Sequence, residues 1–112
     1  MNKKIIGLFV IFLFLSGCSK FTGQEDFNDI IDNIQQSVEQ KEWKQLKSHG
    51  DDLLKIYHSN KWKLQMIGDE REYEELYESI KRLLVVIEEK EVTEIKLSLA
   101  TIESIIEEIY SL

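Results

Sequence analysis

The stretch DEREYEELYESIKRLLVVIEEKEVTEIKLSLATIESIIEEI, residues 69–109, decides the fold. Its apolar residues fall at Tyr73, Leu76, Tyr77, Ile80, Leu83, Leu84 and Ile87, then at Val92, Ile95, Leu99, Ile102, Ile106 and Ile109. Steps of three and four place each set on one side of a helix and leave the acidic and basic residues on the other. A polar corner, Glu88-Glu89-Lys90-Glu91-Val92, separates the sets. The reading is a helix from about Asp69 to Glu89, a tight turn, and a second helix from about Glu91 to the C-terminus. Asp69-Glu70 opens the first of these with negative charge, where the helix dipole favours it.

The same build is legible upstream. Phe27, Ile31, Ile34 and Val38 are spaced four, three and four, which predicts a helix over roughly 25–40. A further helix starts near Glu42 and carries Trp43, Leu46, Leu53 and Tyr57, with Gly50 in the gap. The corner Glu39-Gln40-Lys41-Glu42-Trp43 reads like Glu88-Glu89-Lys90-Glu91-Val92. Shifted by 49 positions, Phe27 meets Leu76, Ile31 meets Ile80, Val38 meets Ile87, Trp43 meets Val92 and Tyr57 meets Ile106. Forty-nine is seven heptads, so a shared stripe explains the alignment as readily as a duplicated hairpin does. Either way the fold class is all-α: an antiparallel up-down four-helix bundle made of two helical hairpins. Trp43 is expected to point inward beside Val38, its large ring set against the small Gly50.

Composition agrees. The 112 residues include no proline and five glycines, two of them (Gly7 and Gly17) in the N-terminal segment. Fourteen Lys and Arg against 21 Asp and Glu give a formal charge of −7. That sign argues against nucleic acid as a partner, since such binding rests on neutralised phosphates. It argues equally against a polybasic grip on anionic headgroups.

The N-terminus reads as a targeting segment. Met1-Asn2-Lys3-Lys4 is a short basic start, Ile5–Leu15 an eleven-residue apolar run, and Leu15-Ser16-Gly17-Cys18 follows. Eleven residues of helix cover only about 16 Å, too short to remain as a membrane span. Basic start, apolar run and small residues before a cut describe an export signal. Leu15, Ser16, Gly17 and Cys18 resemble the lipobox of bacterial lipoproteins. That resemblance implies diacylglycerol transfer to the Cys18 thiol, cleavage before Cys18 and anchoring by acyl chains. Cys18 is the only cysteine, so no disulfide staples the exported part. The expected organisation is a signal peptide over 1–17, a lipidated tether over 18–25 and a helical domain over 26–112. Removing Lys3 and Lys4 with the signal takes the charge from −7 to −9.

Few side chains suggest chemistry. His49 and His58 lie nine apart on one helix and cannot share an ion unaided, and zinc needs three or four convergent ligands. The acidic runs 69–78 and 88–94 lack the glycine-turned oxygen loop of an EF-hand and read as solvated helix faces. There is no phosphate loop and no nucleophile–base pair, so no catalytic residue, metal or cofactor is expected. Trp62 is the informative oddity. A reset of the second helix near Ser59-Asn60 would bring Trp62 and Met66 into the stripe of the third helix, and this is the preferred expectation. An unbroken helix would instead leave Trp62, with His58, as a candidate partner contact on the outer face.

The polar corner before Trp43, the Leu53-Leu54…Tyr57…Trp62 run and Ile80-Lys81-Arg82-Leu83 ahead of the Glu88–Val92 corner carry a resemblance over Ile30–Leu112. The stretch resembles the small exported or lipid-anchored helical family of Gram-positive bacteria catalogued as the domain of unknown function DUF4363. The resemblance implies a helical bundle at the cell surface with no assigned reaction, and supplies no catalytic residues. The expected function is a non-catalytic interaction or structural module, anchored through Cys18 at the outer face of the cytoplasmic membrane. In a host with two membranes the outer membrane is the alternative site. A ligand- or cation-binding surface lipoprotein is the alternative function.

Overall fold

The computed structural model describes residues 22–111. The signal peptide, the lipobox Leu15–Cys18 and the first tether residues lie outside the described residues. Four helices follow in order: α1 Gln24–Glu39, α2 Trp43–Ile67, α3 Glu70–Glu88 and α4 Val92–Tyr110. No strand occurs among the described residues. Each helix packs on the next, and α1 closes against α4, so that α1 and α3 occupy one diagonal of the bundle and α2 and α4 the other.

Local chemistry sets the helix ends. Asp69 caps α3 with a reciprocal pair. Its carboxylate accepts from the Glu72 backbone N–H at 2.9 Å, and the Glu72 carboxylate accepts from the Asp69 N–H at 2.9 Å. The two hairpin corners are built alike. At the first, the Lys41 N–H donates to the Val38 carbonyl and the Glu42 N–H to Ser37. At the second, Lys90 donates to Ile87 and Glu91 to Val86, the same pattern 49 residues on. This is the paired bonding by which a left-handed residue ends a helix, and that residue is usually glycine. Here lysine takes the position twice, with φ 55° at Lys41 and 57° at Lys90.

The 49-residue repeat of the sequence pattern is therefore present in the backbone geometry as well. Burial repeats with it: Phe27, Ile30, Ile31, Ile34, Ser37 and Val38 in α1 are matched by Leu76, Ser79, Ile80, Leu83, Val86 and Ile87 in α3. Leu46, Leu53 and Tyr57 in α2 correspond in the same way to Ile95, Ile102 and Ile106 in α4. Even the ion pairs repeat. Lys47 reaches Glu88 at 3.2 Å and Lys96 reaches Glu39 at 3.4 Å, each joining one hairpin to the other. Both are exposed, so they mark the pseudo-two-fold relation more than they stabilise it.

Two expectations need correction. The second helix does not reset near Ser59-Asn60: α2 runs unbroken to Ile67, and Trp62 stands 53% exposed outside the core. The reason is that both polar residues bond within the helix. The Ser59 hydroxyl donates toward the carbonyls of Lys55 and Ile56, and the Asn60 amide donates to the Ile56 carbonyl at 2.9 Å. Trp43, in turn, is only partly buried at the edge of the core, with the Lys90 ammonium 6.0 Å from its ring centre. Gly50 does not receive it. The space a side chain would need at Gly50 is taken by Leu84 and Ile87 of α3, whose methyl carbons lie 2.9 and 3.1 Å from the position of a Cβ.

Both ends of the described chain meet at one end of the bundle. Gly23 is buried in a left-handed conformation (φ 83°), and a Cβ there would fall 2.5 Å from the Asn60 side-chain oxygen. Glycine is thus required by both conformation and space. The Tyr110 hydroxyl donates to the Thr22 carbonyl at 2.6 Å, tying the last turn of α4 to the entry of α1. Burial, and secondarily the nearby Asp26 carboxylate, pushes the Tyr110 phenol up to about 12. A phenol with a raised folded value stabilises the fold below its ordinary value near 10 and loses that contribution as pH climbs from 10 toward 12. Urea melts across this range are expected to show falling stability, and Tyr110→Phe should flatten the fall. An equally steep decline in the variant would contradict the assignment.

Candidate interaction surface

Four large apolar residues stand exposed: Val85 on α3, Leu97 on α4, and the pair Trp62 and Met66 on the outer face of α2. His58, Trp62 and Met66 are spaced four and four, so they share one side of the helix. Trp62 is 53% and Met66 70% exposed. The two candidate contact residues read from the sequence, Trp62 and His58, are thus brought onto one stripe. Met66 extends it, and its signal was the same i, i+4 step.

His58 also belongs to an aromatic cluster that sequence reasoning missed. Its ring meets Tyr57 edge-on with centroids 5.5 Å apart and lies 5.9 Å from Tyr77, while Tyr57 and Tyr77 are 5.3 Å apart. The Lys81 ammonium stands 5.8 Å from the Tyr77 ring centre, and the Tyr57 hydroxyl donates to the Tyr73 carbonyl at 3.3 Å. Burial, followed by the neighbouring phenols of Tyr73 and Tyr77 and the Glu74 carboxylate, raises the Tyr57 phenol above its usual range. The available signal was the Tyr73–Tyr77 step facing Tyr57-His58 across the α2–α3 seam. These are packing contacts: edge-to-face and tilted rings at these distances add about 0.5–1.5 kcal/mol per pair.

His49 lies half-buried on α2, away from this cluster in sequence. No group of three His, Cys, Asp or Glu converges among the described residues. The acidic runs are distributed as helix faces: Glu72 caps α3, Glu75 sits 3.7 Å from Arg71, and Glu88 pairs with Lys47.

Two open grooves flank the corner end of the bundle and repeat the pseudo-two-fold relation. One runs between α1 and α4, past Gln35, Glu39, Lys96 and Leu99. The other runs between α2 and α3, past Lys47, Leu84, Val85 and Glu88. Neither is lined by a hydroxyl, a thiol or an imidazole.

Four antiparallel helices among the described residues, in two hairpins of like build with an exposed stripe on α2, define a small helical-bundle module. The chain belongs to the family DUF4363, a domain of unknown function, whose model matches residues 22–112. No curated protein and no solved structure matches it.

Proposed function

We propose that the chain is a lipoprotein whose helical bundle serves as a non-catalytic interaction or structural module, held at the outer face of the cytoplasmic membrane through Cys18. The carrying observation is the four-residue run Leu15-Ser16-Gly17-Cys18 directly behind an eleven-residue apolar segment. Two or more acyl chains, at about 0.8 kcal/mol per buried methylene, anchor a protein of this size stably. None of the helices among the described residues is long and apolar enough to cross a membrane. The net negative charge also makes a lipid a better anchor than a basic surface would be.

Cys18→Ser is expected to abolish lipid attachment. Cells grown with a clickable palmitate analogue should label the wild-type chain and leave the variant unlabelled. Equal labelling of both would refute the proposal.

A further inference from the structure

We infer that Trp62 and Met66 form a bilayer-contact patch, which seats the membrane-proximal end of the bundle in the lipid headgroup region. The inference rests on the lipidation of Cys18 proposed above and adds an orientation to it.

The argument begins with where the chain enters the bundle. Gly23 packs directly against Asn60, so the start of α1 is level with that residue of α2. The helices are antiparallel, and α2 continues from Asn60 to Ile67. At 1.5 Å per residue, its last two turns project about 10 Å past the point where the tether arrives. Trp62 and Met66 are the exposed apolar residues of this projection, about 3 and 9 Å beyond Asn60. No other stretch of α2 exposes a large apolar side chain.

Tether length then limits the distance to lipid. Five residue steps lead from Cys18 to Gly23, and at about 3.5 Å each they span at most about 18 Å. An acylated Cys18 sits at the membrane surface, so a bundle standing on its tether brings the tip of α2 within several ångströms of the headgroups. Tryptophan is the residue most suited to that layer, since its ring is apolar and its indole N–H polar. Lys61, exposed beside Trp62, can keep its ammonium group in water while its methylenes lie along the surface, and the Lys63 ammonium stands 5.6 Å from the Trp62 ring centre. The same end carries Glu25 and Asp26 in the first turn of α1, and the N-cap Asp69 with Glu70 and Glu72 in the first turn of α3. Contact is therefore apolar and aromatic in origin. It favours zwitterionic over anionic lipid and depends on the tether to bring the patch to the surface.

The two tryptophans provide the test, because Trp43 opens α2 at the opposite end, 19 residues or about 28 Å from Trp62. Full-length lipidated chain would be purified from membranes as the Trp43→Phe and Trp62→Phe variants, with the lipid on Cys18 verified by mass spectrometry. Each would be reconstituted into phosphatidylcholine vesicles with and without brominated acyl chains. The expected result is quenching of Trp62 by brominated lipid about twofold or more above that of Trp43, together with a blue shift of Trp62 alone. Replacing a third of the lipid with phosphatidylglycerol should weaken the difference. Equal, weak quenching of both rings on a chain that carries its lipid would overturn the patch and leave the lipoprotein reading intact. Protection of Trp62 from aqueous acrylamide without quenching by brominated lipid would also overturn it, in favour of a protein or a second copy on that face. A chain lacking lipid at Cys18 would remove both proposals together.

Discussion

Phe27→Ala is expected to remove about 3–5 kcal/mol of folding stability, the cost of emptying a fully enclosed aromatic site. Phe27 is fully buried in the first turns of α1, and the whole bundle is expected to hold about 5–10 kcal/mol. The variant should therefore be close to half unfolded at modest urea concentration. The position is one turn from the helix start, where fraying would normally soften such a loss. Fraying is opposed here by the seat of Gly23 against Asn60 and by the bond from Tyr110 to Thr22. Leu76, its counterpart 49 residues on, is also fully enclosed, and Leu76→Ala should cost about 2–5 kcal/mol. Urea melts followed by far-ultraviolet dichroism measure both. A loss below about 1 kcal/mol for Phe27→Ala would mean that the entry of α1 is not packed as described.

The second large effect is at Gly50, where two opposing terms are separable. Alanine there gains up to about 1 kcal/mol of helix propensity, but its Cβ arrives 2.9 Å from a Leu84 methyl and 3.1 Å from an Ile87 methyl. Leu84 is partly exposed and can swing toward the groove between α2 and α3, so Gly50→Ala is expected to be nearly neutral. Valine adds two carbons with a stiff χ1 against the fully packed side of the same contact. Gly50→Val should cost about 2–3 kcal/mol by overpacking. Leu84→Ala should recover part of that loss, so a double-mutant cycle in urea reads the coupling directly. Additivity of the two substitutions would show that Leu84 is not what the valine meets.

Much of this architecture was legible in the residues because spacing alone orients a helix. The three-four steps of Phe27–Val38 and Tyr73–Ile109 named the buried faces, and the two lysine-bearing corners named the turns. What the spacing does not carry is which polar residue turns inward. Asn60 holds the position corresponding to the buried Ile109, where an amide satisfied by the Ile56 carbonyl replaces a hydrocarbon. In sequence, Ser59-Asn60 therefore reads as an interruption, and Trp62 as part of a different stripe. Gly50 was misread for a related reason. A glycine's nearest neighbours in a bundle are set across the helix interface, by Leu84 and Ile87, and not by the tryptophan seven residues earlier on its own helix. The contact stripe itself was half legible. Trp62 and His58 stood out by type, but the arrival of α1 beside Asn60, which gives their end of the bundle its significance, is a tertiary fact.

The near-equivalence of the hairpins has a consequence for crowded chains. Each half completes its core with a partner built on the same register, and a half from another molecule would serve as well as its own. The link between them is two residues long, and both are already extended: Gly68 at φ −106°, ψ 163° and Asp69 at φ −83°, ψ 167°. Straightening it asks little of the backbone, so exchange of hairpins between neighbours is a low-cost route to a dimer with every core contact retained. The lipid anchoring proposed above would confine the chain to a surface and so raise the local concentration that such an exchange needs. The barrier is the opening of one closed bundle, so a swapped population would accumulate slowly and, once formed, would be slow to disperse on dilution.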